Sequence, residues 1–224
     1  MMNNIKIANE LAFNTANTAA NTIVVLDFET TGLSPEQGDR AIEIGAVRIR
    51  DGEVIDSFQE LMNPGRRINS FIEQYTGITN PMLSKAKPCG EVMDRFADYI
   101  GDDNLLAHNA SFDKKFLDAE LKRINRSYKG EFTCSLLISR RVYQDAPNHK
   151  LGTLVDYKNL SDEGNFHRAL FDSQMTAKLW LQILEDISEQ YQLFDIPFSL
   201  ITKIAKTPKN AVPKLLMQYS KNRG

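Results

Sequence analysis

Residues 23–28 (IVVLDF) are apolar almost without a break, the pattern of a strand buried on both faces. Residues 41–50 (AIEIGAVRIR) alternate instead, as a strand with one polar face does. Asp51-Gly52 predicts a tight hairpin turn into a third strand over 53–61, so the first three strands should form an antiparallel meander. After Asn63-Pro64-Gly65 the period turns helical, with a short helix over 70–75 and a longer one over 90–100, where Val92, Phe96, Tyr99 and Ile100 share a face. Residues 104–108 (NLLAH) predict another buried strand. It leads into a helix over 111–124 that repeats Phe112, Phe116, Leu117, Leu121 and Ile124 at helical spacing, with Ser111 or Asn109 placed to cap it. A short strand over 132–134, helices over 136–143 and 151–157, and a long helix from near His167 through Trp180 and Leu184 complete the pattern. Residues 1–21, rich in Asn, Ala and Thr, show no durable period and read as a loose lead-in. The expected division is therefore this lead-in, a main domain over 22–190 and an extension over 191–224.

Three strands in sequence, then helix, strand, helix, strand and helices, predict an α/β fold: a mixed five-stranded sheet with three antiparallel strands first, flanked by helices. That is the element order of a ribonuclease H-like sheet. Composition changes this little: 42% hydrophobic and 25% charged residues exclude a disordered or fibrous chain, and 224 residues suit one domain with a buried core. Two cysteines, Cys89 and Cys134, without CxxC spacing, argue against a disulfide framework or a structural zinc site and fit a reducing cytoplasm. The N-terminus lacks the basic start and apolar stretch of a signal peptide, and no apolar run reaches the roughly 18 residues of a membrane span, so a cytoplasmic protein without a membrane partner is expected. Charge is uneven. Residues 201–224 carry Lys203, Lys206, Lys209, Lys214, Lys221 and Arg223 without an acid, whereas the rest holds 21 bases against 29 acids. Such a tail can attract a phosphate backbone or simply be a solvated end.

The candidate chemistry lies in four acids and a histidine at the ends of elements. Asp27 and Glu29, two apart in LDFET, project to one face of their strand while Phe28 turns to the other. Two carboxylates on one face of an apolar strand repel, and burying them is costly unless a cation lies between. Asp113 follows in HNASFDKKFL, one turn into a helix, where the macrodipole alone would also favour it. His167 and Asp172 open the last helix in HRALFD; their spacing of five places the histidine just before the helix and the aspartate within it. Hard divalent ions such as Mg²⁺ or Mn²⁺ take oxygen ligands of this kind. A pair of them about 4 Å apart can drive in-line phosphoryl displacement. A histidine beside them, with an ordinary pKa near 6.5, can take a proton from the attacking water.

In this order and separation, DFETTGL, HNASFD and HRALFD resemble the three motifs of the DEDDh 3′→5′ exonucleases, a family that includes the epsilon proofreading subunit of bacterial DNA polymerase III, RNase T and oligoribonuclease. The resemblance covers roughly residues 22–187. It implies a ribonuclease H-like fold and hydrolysis from a 3′ end to nucleoside 5′-monophosphates, with two Mg²⁺ or Mn²⁺ ions. By the match, Asp27, Glu29 and Asp172 would hold one ion, Asp27 and Asp113 the second, and His167 would be the general base. Thr30 would lie near the terminal nucleotide and Leu33 would wedge against its base, with the Thr30 and Thr31 amides and hydroxyls left free by a turn at Gly32. His108 and Phe112 would offer rings for stacking, although Phe112 equally suits a core position and His108 a hydrogen-bonded strand end. YTGIT (75–79) falls where epsilon-like sequences carry His-Gly-Ile, with Thr76 in place of the histidine, and HKLGTLVDY (149–157) resembles the helix before the last motif. Gln190-Tyr191-Gln192-Leu193-Phe194 resembles the peptide with which replication proteins dock on the sliding clamp, although Ile187, Tyr191 and Phe194 also continue an apolar helical stripe. The resemblance favours the single-stranded 3′ end of DNA as substrate, with polymerase subunits or the clamp as partners. The alternatives are a 3′→5′ exoribonuclease or oligoribonuclease-like enzyme, and a non-catalytic nucleic-acid-binding accessory subunit on the same fold.

Overall fold

The computed structural model describes residues 18–160 and 167–222. Most of the expected lead-in, residues 1–17, lies outside the described residues.

The first three strands, β1 (Ile23–Thr30), β2 (Ala41–Arg50) and β3 (Glu53–Asn63), form the antiparallel meander. Asp51 and Gly52, with φ of 50° and 86°, turn the hairpin between β2 and β3. β5 (Leu105–Ala107) joins β1 in parallel and β6 (Phe132–Cys134) joins β5 in parallel. A sixth strand, β4 (Lys87–Pro88), pairs in parallel with the end of β3, giving the order β4-β3-β2-β1-β5-β6. Among the described residues the expected count of five is thus corrected to six. Two residues are too few to carry an alternating pattern, and a proline is tolerated because β4 is an edge.

Helices cover both faces. Val24, Leu26 and Phe28 point to one side and pack with α3 (Cys89–Ile100) and α4 (Ser111–Arg123) through Met93, Phe96, Phe116 and Leu117. Ile23 and Val25 point to the other side and meet α7 (Ala169–Tyr191) through Trp180 and Ile183. This double burial is why β1 reads as an unbroken apolar run. Two short helices, α1 (Ser70–Thr76) and α2 (Asn80–Lys85), cluster around Ile42, Ile68 and Ile78, while α5 (Ser135–Val142) and α6 (Leu151–Tyr157) precede α7. Neither Ser111 nor Asn109 caps α4: Ala110 holds the cap position without a side-chain bond, and Asn109 sits at φ 67°.

Residues expected as a basic extension fold onto the same core. α8 (Phe198–Lys206) and α9 (Val212–Lys221) bury Phe198, Ile201, Ile204, Val212 and Leu216 against the α7 face. Lys203, Lys206, Lys214 and Lys221 on these helices, and Lys209 between them, stay exposed. Among the described residues no helix is long and apolar enough to cross a membrane.

The start of α7 is pressed directly on β2. A Cβ at Gly45 would lie 2.1 Å from the Leu170 backbone nitrogen, and Ser173 donates a hydrogen bond to the Gly45 carbonyl at 2.8 Å. Gly45→Ala must push the helix away, at a cost of about 1–3 kcal/mol of overpacking. A urea-denaturation midpoint unchanged by this substitution would show that the contact is dispensable.

Candidate active site

Three elements, β1, α4 and α7, bring the acids together at the end of β1. Asp27 and Glu29 lie on the same side of the strand as Ile23 and Val25, toward α7, whose first turn carries Asp172. Asp113, in the first turn of α4, arrives from the opposite layer. β5 is hydrogen-bonded to β1 only as far as Val25, so the Phe28 amide lies beyond its reach; that amide donates to Asp113 Oδ1 at 3.1 Å. The early end of one strand thus makes room for a carboxylate from across the sheet.

On the α7 side, Glu29, His167 and Asp172 each offer a ligand atom, and the three atoms lie within 4.8 Å of one another, close enough to share one ion. His167 precedes the helix, as expected, in the left-handed region at φ 69°. Its amide donates to Asp172 Oδ2 at 2.8 Å, which offsets part of the strain of that backbone.

The acids are crowded and starved of water. Burial is the largest cause lifting the pKa of Asp27 far above its ordinary value, followed by repulsion from Asp113, Asp172 and Glu29. Glu29 is pushed up to about 8 by burial, then by Asp172 and Glu43, and Asp172 to about 6 by burial, moderated by backbone amides that favour its charged form. Burial raises Asp113 as well, although the Phe28 amide works against it. Burial lowers His167, which favours the neutral imidazole that a proton acceptor needs. Oxygen-rich donors that repel one another until a cation arrives fit a hard divalent ion.

A fifth acid, Glu43, escaped the motif reading. It sits opposite Glu29 on β2, fully buried, and accepts from Arg168 Nη2 at 2.7 Å, Arg168 Nε at 3.1 Å, the Ala169 amide at 3.1 Å and Gln59 Nε2 at 3.0 Å. It therefore anchors the residues that follow His167. Its sequence signal, one polar position on an alternating strand, says nothing of a partner 125 residues away.

The residues expected to grip substrate fare unevenly. Leu33 is 77% exposed, available as a wedge. The Thr30 and Thr31 hydroxyls, expected to be free, are not. Thr30 donates to the Gly32 carbonyl at 2.6 Å; Thr31 donates to Asp39 Oδ1 at 3.1 Å and accepts from the Arg40 amide and Arg66 Nη2. Asp39 also fills the space where a Gly32 side chain would stand, so the loop closes on itself and its hydroxyls are spent doing so. His108 lines an open cleft of about 1030 Å³ together with Asp27, Tyr75, Arg140, Lys150, His167 and Asp172. Both of its nitrogens are engaged: Nε2 donates to the His149 carbonyl at 3.0 Å, so Nδ1 must accept from the Ser135 hydroxyl at 2.8 Å. Burial lowers this histidine to about 4, which agrees with a neutral structural ring whose face alone remains for stacking. Phe112 packs beside the core between β1, α3 and α4, its ring 5.0 Å from Phe116, and does not line the cleft. Thr76 is buried, donating to the Ile72 carbonyl and accepting from the Ile78 amide, whereas its neighbour Tyr75 reaches the site. In the clamp-like segment Leu193 is only 3% exposed, locked in the core, while Phe194 is 82% exposed. A docking peptide needing both side chains cannot form without drawing Leu193 out of the core.

Comparison with known proteins bears on the fold and the family. The chain is 40% identical over 171 residues to DNA polymerase III PolC-type of Bacillus subtilis (strain 168), which is 75% of this chain and 12% of that protein. It is 37% identical over 166 residues to the PolC-type polymerase of Caldanaerobacter subterraneus subsp. tengcongensis, again 12% of its length. The chain thus spans about an eighth of these relatives. Its fold matches the structure of exonuclease X in complex with 5′ overhanging duplex DNA, with a TM-score of 0.64 at 24% identity over 81% of this chain and 98% of the other. It also matches the nuclease domain of 3′hExo, a DEDDh family member bound to rAMP, with a TM-score of 0.62 at 23% identity over 74% and 92% of the two chains. The exonuclease family model, RNase_T, covers residues 24–180, and the chain belongs to that family of exonucleases.

Proposed function

We propose that this exonuclease removes nucleotides one at a time from the 3′ end of DNA, by hydrolysis that needs two Mg²⁺ or Mn²⁺ ions. The observation that carries the reading is the meeting of Glu29, His167 and Asp172 within 4.8 Å, beside Asp27 and Asp113. Asp27, Glu29 and Asp172 would hold one ion, and Asp27 and Asp113 the other. When bound, the ions neutralise the charge that develops on the phosphate and lower the pKa of the attacking water. His167, kept neutral, takes the proton of that water as its oxygen bonds to phosphorus. The bond from phosphorus to the 3′ oxygen then breaks and that oxygen takes up a proton from solvent water, leaving a new 3′ hydroxyl on the strand and a nucleoside 5′-monophosphate. The intact set of acids and histidine speaks against a non-catalytic binding module.

DNA is preferred because the PolC-type relatives are DNA polymerases and the exonuclease X structure holds DNA. Those relatives also favour work beside a polymerase, as proofreading or repair. The structure of 3′hExo bound to rAMP supports the second reading, an exoribonuclease with the same chemistry. Incubating the protein with 5′-labelled single-stranded DNA or RNA, with Mg²⁺, Mn²⁺ or chelator, separates these. Shortening from the 3′ end only with metal, faster on DNA, is expected. A faster RNA ladder would transfer the assignment to RNA, and shortening in chelator would end the metal mechanism.

A further inference from the structure

Two large aromatic side chains on α1 have no place in any core. Phe71 is 67% exposed and Tyr75 is 51% exposed, four residues apart on the outer face of the helix. Their rings touch each other, with centroids 5.8 Å apart and planes inclined by 13°. The Tyr75 ring also touches the His167 imidazole, with centroids 4.0 Å apart and an inclination of 35°. A chain of three rings, joined by two contacts, therefore runs from solvent to the side chain assigned to take the proton. α1 is a firm base for such a prop. Asn69 caps it by accepting from the Ile72 amide, and Glu73 accepts from both the amide and Nδ2 of Asn80 at the start of α2. His167 itself is held through its backbone, by Asp172 and by the anchoring of Arg168 on Glu43. Neither contact fixes its ring.

We propose that Tyr75 is a positioning residue, whose ring holds the His167 imidazole over the carboxylates in the orientation that proton transfer requires. The inference rests on the exonuclease reading of the site. A ring free to turn about its side-chain bonds spends only part of its time in reach of the attacking water, and displacement of a reacting group by an ångström can cost up to about 100-fold in rate. The contact is made by the ring, so its hydroxyl is not required. A rival role for the same side chain, a platform on which a substrate base stacks, would act on binding instead.

The test compares Tyr75→Ala and Tyr75→Phe on a single-stranded DNA oligonucleotide with Mg²⁺, together with the imidazole resonances of the three histidines in NMR spectra. Tyr75 is half exposed, so neither change threatens folding. Tyr75→Ala should lower kcat roughly 10- to 100-fold with little change in KM, and Tyr75→Phe should restore it. The His167 resonance should lose its ring-current shift in Tyr75→Ala and keep it in Tyr75→Phe. A raised KM with kcat preserved would overturn the proposal in favour of a stacking platform, and unchanged kinetics would overturn it outright. An inactive parent protein would instead strike at the exonuclease reading, and the resonance would still decide whether the ring contact exists.

Discussion

Asp27→Ala is expected to lower metal-dependent cleavage by about 10³-fold or more, equivalent to roughly 4 kcal/mol of transition-state stabilisation. The charge of Asp27 is resisted by burial and by Asp113, Asp172, Glu29 and Glu43 together. In the proposed assignment it alone serves both ions, so no neighbour can take its place: Glu29 and Asp172 face one side, and Asp113 is tied to the Phe28 amide on the other. The same substitution should raise the melting temperature of the metal-free protein, because it removes one of several repelling charges. It should also abolish most of the stabilisation that Mg²⁺ or Mn²⁺ gives. Paired measurements of single-turnover rate and of melting temperature with and without metal check both halves. Activity retained within tenfold would mean that the carboxylates do not act as a cation cage.

What the sequence makes legible is what is decided locally. The double-sided burial of β1 shows as IVVLDF, the hairpin as Asp51-Gly52, and the acids at element ends as short motifs, because each depends on neighbours within a few residues. What it hides depends on partners far along the chain. Glu43 becomes an anchor only when Arg168 and Ala169 arrive, and the Thr31 hydroxyl is lost to substrate only when Asp39 and Arg66 close on it. Tyr75 looks like any surface tyrosine until the loop before α7 brings His167 within 4.0 Å.

The C-terminal helices show a different obstacle. Phe198, Ile201 and Ile204 recur every three residues and mark a buried stripe, but six basic residues in the same stretch draw attention to charge. The five described lysines stay exposed, while the apolar positions pack beside Trp180 and Ile183. Removing residues 196–224 would therefore uncover core rather than detach an accessory arm.

Metal-free protein is expected to lose stability as pH rises from about 6.5 to about 8.5, by a few kcal/mol, on the order of 10 °C in melting temperature for a chain of this size. In the unfolded chain these carboxyls titrate near 4, whereas in the fold Glu29 is held up at about 8 and Asp27 and Asp113 are raised in the same direction. Across that interval the folded protein binds more protons than the unfolded one, so raising the pH favours unfolding. Other titrating groups do not mask the effect. Burial lowers His108 to about 4, so it favours folding as pH rises from about 4 to its ordinary value near 6.5, and all but about 0.4 kcal/mol of that gain is in place when the window opens; His167, lowered in the same direction, adds no more than a similar remainder. Asp39 and Asp186 are lowered, so their contributions are complete at still lower pH. Saturating Mg²⁺ should flatten or reverse the slope, because a cation favours the ionised carboxylates that the empty fold resists. Thermal melts at the two pH values, with chelator and with metal, test this: metal-free stability that climbs through the window would show that the acids are not forced together.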